Sequence, residues 1–390
     1  MRFQGWLISV CVCCLSPLLT GCWGYEEFEH KLYPHAIAVD KVDGQYVAYV
    51  QILDMRQLGK IEGSQAGESP GAWVASARGN TLDEAAHEFY QKVPRSINWG
   101  HVNALVLTNN LLKDREWTKV FDIFTRYSEF RYTTWVFSTA ESPQEILSTE
   151  PVIENSPVYS GIGDPYELYR ESSFIRPVRL NRLIANLREP AEVHLIPQIS
   201  IDQSTWSASN EQKTTLTLTG YSLLNDQLEF VSNLSKEESV GMRWVDPHLA
   251  RTTLNLAANG KLLGSAILTK PRIKIGYIRE GQNIRYQLNV SIRGVVAERY
   301  NQQTLDVLDS IAEREIEHEI RNVYADGLEH HVDLLGLEDV VYRRNPAFYH
   351  QLTQRNGLFL RSNSLSVKVH VSLLNSIRTL EGTQRFLQGT

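Results

Sequence analysis

Apolar and polar positions alternate with a period of two in HAIAVD (35–40) and QYVAYVQILD (45–54), a pattern that predicts two β-strands. Between them, Lys41-Val42-Asp43-Gly44 supplies the turn residues of a hairpin. Residues 57–72, with Gly59, Gly63, Gly67, Gly71 and Pro70, read as a loop. The period then lengthens. Leu82, Ala85, Ala86, Phe89 and Tyr90 fall on one face of a helix, and Thr81 with Glu84 has the capping-box spacing at its start. HVNALVLT (101–108) and TTWVFST (133–139) are apolar enough for buried strands, with DREWTKVFDIFTRY (114–127) as an amphipathic helix between them. Ser142-Pro143-Gln144-Glu145 opens another helix, with a cap, a first-turn proline and a reciprocal acid.

This alternation of strand and helix predicts an α/β-type N-terminal domain over residues 22–190. Beyond it the pattern turns β-rich: EVHLIPQISI (192–201), TTLTLTGYSLL (214–224) and QLEFVSNL (227–234) are strands, with Asn225-Asp226 at a tight turn. They predict a small middle domain over 191–265. ILTKPRIKIGYI, YQLNVSIRGVVAE and SLSVKVHVSLL (364–374) are long alternating strands around one helix. That helix carries Leu305, Leu308, Ala312, Ile316, Ile320 and Val323 at spacings of three and four. A sheet with one face covered by it accounts for a C-terminal domain over 266–390. The expected fold class is therefore α+β in three domains, with mixed sheets and packed helices.

The first 21 residues follow neither pattern. A single cation, Arg2, precedes an uncharged run from Leu7 to Leu19, which is the form of a secretory leader and is shorter than the roughly 20 apolar residues a bilayer span requires. Leu19-Thr20-Gly21-Cys22 has the leucine-polar-small-cysteine order of a bacterial lipoprotein signal. In that chemistry a diacylglyceryl group is attached to the cysteine sulfur and the leader, residues 1–21, is cut away. An ordinary secretory peptide is the alternative. On the lipoprotein reading Cys11, Cys13 and Cys14 leave with the leader, so Cys22, the lipid attachment residue, is the last of four cysteines and no disulfide forms. Two acyl chains hold a protein stably on a membrane where one does not.

At 42% hydrophobic, 22% charged and 9% aromatic residues, the remainder is ordinary globular material and long enough for two or three domains. The net charge is −6, and loss of Arg2 with the leader makes the mature chain slightly more acidic. Such a balance argues against nucleic acid, whose binding needs clustered Lys and Arg. It also indicates that membrane attachment relies on the lipid and not on anionic headgroups.

Candidate chemistry is sparse. Gly67-Glu68-Ser69-Pro70-Gly71 matches the nucleophile-elbow pattern, but the residue after the serine must donate a backbone N–H to the oxyanion and Pro70 has none. Glu329-His330-His331-Val332-Asp333 offers metal-ligating residue types, yet adjacent side chains diverge, and exposed histidines at a helix end explain it better. His101, before an apolar strand, reads as structural. There is no Gly-rich phosphate loop and no dinucleotide fingerprint. Trp73, Trp99, Trp135 and Trp244 read as core, with an interface role open to any at an edge. No catalytic, metal-ligating or cofactor-binding residue is expected.

The order of features resembles the Ger(x)C spore germination proteins, the lipoprotein C subunits of germinant receptors. Members begin their mature chain with Cys-Trp-acid; here Cys22-Trp23 is present and Gly24 replaces the acid. Their Ala-Ile-Gly-Ile-Asp-like strand and Asp-Gly turn are matched by Ala36-Ile37-Ala38-Val39-Asp40 and Asp43-Gly44. Gly79, Thr81, Glu84 and Ala85 match a Gly-x-Thr-x-x-Glu-Ala helix start, and His101 a histidine before a hydrophobic strand. Gly220-Tyr221-Ser222-Leu223-Leu224 through Leu228, then Glu237, Glu238, Gly241 and Trp244, follow at familiar offsets. Asp333-Leu334-Leu335-Gly336 resembles the C-terminal Asp-x-x-Gly motif, with Leu337 in place of the usual phenylalanine.

The resemblance implies a three-domain α+β protein without a catalytic centre or cofactor, on the outer face of the spore inner membrane. It implies assembly with two membrane-embedded partners, the receptor A and B subunits: a multi-spanning protein and one resembling an amino-acid permease. The assembly responds to small nutrients. Two other classes are weaker. A lipoprotein solute-binding component would keep strand–helix alternation throughout, and it fades after Arg188; an exported enzyme would need a convergent polar site.

Overall fold

The computed structural model describes residues 31–53, 72–152, 160–281, 283–300, 302–356 and 360–375. The first part holds β1 (Lys31–Leu32), β2 (Pro34–Val42), β3 (Gln45–Leu53), β4 (Ala72–Gly79), α1 (Leu82–Lys92), β5 (Ser96–Ile97), β6 (Ala104–Thr108), α2 (Asn109–Leu112), α3 (Val120–Arg126), β7 (Trp135–Thr139) and α4 (Pro143–Ser148). Then come α5 (Pro165–Glu171), β8 (Val178–Arg179), α6 (Leu180–Asn186), β9 (His194–Ala208), β10 (Glu211–Leu224), β11 (Phe230–Ser235) and α7 (Lys236–Ser239). The last part holds β12 (Thr252–Ala258), β13 (Lys261–Glu280), β14 (Asn283–Arg299), α8 (Leu305–His330), α9 (Leu337–Arg344), α10 (Pro346–Asn356) and β15 (Leu365–Asn375).

A nine-stranded mixed sheet runs in the order β11-β10-β9-β7-β6-β2-β3-β4, with β8 paired to β7. Its centre, β2, β6 and β7, is parallel and buried on both faces, which is why β6 and β7 read as unbroken apolar runs. Ile37, Val39, Leu105, Leu107 and Val136 pack one face under α1, α3 and α6; Ala36, Ala38, Val106 and Phe137 pack the other with Ile146 and Leu147 of α4. A smaller antiparallel and parallel sheet, β12-β13-β14-β15, is covered on one face by α8, α9 and α10. The fold is thus α+β, as expected, with a long helix over the C-terminal sheet. Residues 191–265 contribute β9, β10 and β11 to the large sheet and β12 to the small one.

Three hairpins close with two residues of positive φ: Asp43-Gly44 (51°, 79°), Ser209-Asn210 (52°, 68°) and Asn259-Gly260 (53°, 72°). Turns of this hand match the twist of the flanking strands. At the start of α1, Thr81 accepts the Glu84 N–H (3.1 Å), but the Glu84 carboxylate takes the N–H of Asn80 (2.7 Å) and not that of Thr81. A Cβ on Gly79 would lie 2.5 Å from the Ala85 nitrogen, so the strand can turn into α1 only at a glycine.

Several expectations are corrected. Ser142 makes no side-chain cap bond to α4, although Pro143 occupies the first turn. The 114–127 helix is a 3-10 turn (Trp117–Lys119) followed by the short α3, because Trp117 is pinned by its Nε1–H donating to the Leu228 carbonyl (2.7 Å). The Asn225 turn extends to Glu229, and β11 starts only at Phe230. Trp99, Trp135 and Trp244 are buried, but Trp73 is 58% exposed, since it lies on the edge strand β4.

Candidate functional site

Cys22, Trp23 and Gly24 lie outside the described residues, as does the Gly67–Gly71 stretch. His101 ends a 3-10 turn and sets its ring edge-on against Tyr33, centroids 5.1 Å apart. The Glu329–Asp333 stretch forms the end of α8. His331 is left-handed (φ 58°), its ring Nδ1 is 2.9 Å from the Leu328 carbonyl, and the Val332 N–H closes the helix on Gly327 (2.9 Å). Asp333 points inward and accepts the N–H groups of Leu335 (3.2 Å) and Glu338 (2.6 Å), which organises the start of α9. Burial pushes its carboxyl up to about 6, against the opposing effect of those backbone donors. No group of three His, Cys, Asp or Glu with metal-binding geometry occurs among the described residues.

The strongest polar constellation joins parts of the chain that are distant in sequence. Gly241 brings the 3-10 segment Val240–Val245 against α8 so closely that a Cβ there would sit 2.2 Å from the Glu319 carbonyl oxygen. That approach lets Glu319 receive both Arg243 (3.0 and 3.1 Å) and the Trp244 indole N–H (2.6 Å). Arg243 also donates to Thr252 (2.9 Å), and its guanidinium stacks 4.4 Å from the ring centres of Phe174 and Trp244. Burial lowers the guanidinium pKa, and the charge and hydrogen bond of Glu319 oppose that.

A second cluster lies beside it. Asp246 accepts from the Tyr169 hydroxyl and from Arg176 (3.2 Å), while the Arg176 backbone N–H donates to the Tyr221 hydroxyl (2.7 Å). Burial raises both tyrosine hydroxyls far above their ordinary value, so they serve as neutral partners. Ser173 adds a third tie, accepting from Ala250 (3.0 Å) and Arg251 (3.1 Å). These contacts fix α5, β10, β12 and α8 to one another. Sequence reading reached Gly241 through the resemblance alone, and Trp244 both as a core aromatic and through the resemblance. Arg243, Glu319 and Asp246 gave no local signal.

A cavity of about 370 Å³ opens between α1 and α3, walled by Phe89, Trp99, Phe124 and Phe130. At its rim the Tyr127 hydroxyl donates to Asp83 (2.7 Å).

Comparison with known proteins agrees with this architecture. A family model described as the spore germination protein N-terminal domain matches residues 24–201. A second, described as spore germination B3/GerAC-like, C-terminal, matches residues 219–377. Spore germination protein KC of Bacillus subtilis (strain 168) is 27% identical over 367 residues, covering 87% of this chain and 88% of its own. The putative spore germination protein YfkR of the same organism is 25% identical, covering 75% and 74%. Among solved structures, the GerBC protein superposes with a TM-score of 0.54 at 16% identity, over 88% of this chain and 97% of its own.

Proposed function

The chain belongs to the Ger(x)C family of spore germination proteins, and from that premise we propose that it is the C subunit of a spore germinant receptor. In this role it is a non-catalytic lipoprotein, anchored through Cys22 to the outer face of the spore inner membrane. It acts by contact with the membrane-embedded A and B subunits in a nutrient-triggered response. The observation that carries the reading is the pair of family models, matched in order over residues 24–201 and 219–377. The polar constellations suit it: the charges of Arg243 and Glu319 are spent on each other and on neighbouring elements, as in a body that transmits contacts and does not turn over a substrate. The anchor is assigned from Leu19-Thr20-Gly21-Cys22.

The test is co-purification from detergent-solubilised spore membranes by a C-terminal tag. Recovery of a permease-like protein and a second multi-spanning protein is expected; recovery of transporter ATPase components would point to a solute-binding role instead. Cys22→Ala should shift the protein from the membrane to the soluble fraction, and unchanged retention would remove Cys22 as the anchor.

A further inference from the structure

The small sheet has two unlike faces. One is buried under α8, α9 and α10. Along the other, cross-strand register aligns five rows: Gly276-Gln287-Ser366, Lys274-Asn289-Lys368, Arg272-Ser291-His370, Thr269-Arg293-Ser372 and Ile267-Val295-Leu374. These rows contain no Asp or Glu. They contain four cations, Arg272, Lys274, Arg293 and Lys368, none of which has an ion-pair partner among the described residues, in a chain whose net charge is −6. Acids return only toward the ends, where Glu280 pairs with Arg285 (3.2 Å) and Glu298 accepts from the Tyr300 hydroxyl. His370 leans over the sheet edge to Glu313 of α8 (3.2 Å). At the margins stand three exposed apolar side chains, Ile278 (46%), Val295 (38%) and Leu374 (63%).

We propose that this open face is a second membrane contact, lying against anionic phospholipid headgroups. Neighbouring strands are about 4.8 Å apart and alternate residues about 6.8 Å apart. The cations therefore sit within or near the roughly 8 Å Debye length at physiological salt and act on a charged surface together. A broad row of lysines and arginines without a groove suits a layer of phosphates, and the marginal apolar side chains suit the boundary between headgroups and acyl chains. An acidic protein surface would match the charge but leaves those apolar residues without a role. On this proposal the net acidity of the chain does not bar a contact with anionic headgroups, because its charge is unevenly distributed. The four cations, unpaired among the described residues, share one face, and the sequence places them on three strands as much as 96 positions apart.

The setting rests on the membrane attachment proposed above; the test does not. All three cores lie within residues 31–375, so a chain begun at residue 22 and carrying Cys22→Ala keeps every described contact. Flotation with vesicles of phosphatidylglycerol mixed with phosphatidylcholine, against phosphatidylcholine alone, should show binding to the anionic vesicles only, lost at high salt. Lys274→Glu with Lys368→Glu should lower that binding by roughly tenfold or more, given about fivefold per cation near an anionic surface. Arg321→Glu on the exposed side of α8 should change it little. In the cysteine-free chain, Ser291→Cys at the centre of the face should react more slowly with a polar maleimide on anionic vesicles. Absence of binding to those vesicles overturns the proposal, as does binding with Ser291→Cys labelled at the free rate. Capture of an acidic protein without vesicle binding would assign the face to that partner instead. Retention of the lipidated wild-type chain on neutral vesicles reports on Cys22 alone, so the two readings fail separately.

Discussion

Asp333 holds its proton more tightly in the folded chain than an ordinary carboxyl would, at about 6 against 3.8, because it is buried beneath the end of α8. The sign follows. Its contribution to stability is complete below about pH 4 and is lost as pH rises through about 6. Asp333→Asn keeps an acceptor for the α9 N–H groups but does not titrate. Between pH 4 and 7 its stability should therefore gain on the wild type by roughly 1–3 kcal/mol, read from urea midpoints; a constant difference would show that the carboxyl titrates normally. His35 acts in the opposite sense. Burial lowers its pKa, its Nδ1 lies 2.9 Å from the Gln51 amide oxygen, and stability is lost as pH falls through its folded value. At Glu319 the stake is larger. Glu319→Gln leaves the buried Arg243 guanidinium without its counter-ion and should cost about 3–5 kcal/mol in chemical denaturation, whereas Trp244→Phe removes one N–H bond and should cost about 1–2 kcal/mol. Equal losses for the two variants would mean that the ion pair adds nothing beyond packing.

At the scale of elements, α8 both covers the small sheet and shields its edge. Its Asp309 and Glu313 carboxylates accept the Leu373 and Val371 N–H groups of the edge strand β15, at 2.9 and 3.0 Å. An edge with free donors invites pairing with another chain. Asp309→Ala with Glu313→Ala should cost about 1 kcal/mol per lost bond and produce concentration-dependent association in sedimentation; a strictly monomeric variant would show that other features protect the edge. The face of α8 was legible because six apolar residues repeat at spacings of three and four, a pattern few other structures satisfy. Asp43-Gly44 was legible for the same kind of reason, while Ser209-Asn210 was not, since serine is an unusual first residue for a turn that needs positive φ. No strand was read at β4 from the sequence, and Trp73 could not be placed there, because a period of two does not tell an edge strand from a central one. The proposed lipid attachment rests on a local motif, Leu19–Cys22, which a short window of sequence contains whole. The Arg243–Glu319 pair and the basic rows of the small sheet are products of register and packing between distant segments, so no window of sequence contained them.

The whole molecule is joined by polar ties where its two sheets meet. β9, β10 and β11 belong to the large sheet, yet Leu223 and Leu234 pack into the core of the small one beside Trp244. Asp246 holds this junction from the other side, receiving Tyr169 and Arg176 from the segment that links the large sheet's helices to β9, as well as the His248 N–H (2.9 Å). If the protein works by passing a contact made at one sheet to a partner held at the other, the junction must move as a unit. Asp246→Ala removes these bonds, and the contact with the His248 ring, without entering either sheet. Local opening is governed by such peripheral ties more than global unfolding is. Amide exchange over residues 165–176 should therefore accelerate by roughly tenfold or more, a local loss of about 1.4 kcal/mol or greater, with little change in the global unfolding midpoint. Spores carrying the variant should keep the protein in the membrane and respond to nutrient more slowly. A normal response despite faster local exchange would show that the two sheets act independently, and that the junction serves folding alone.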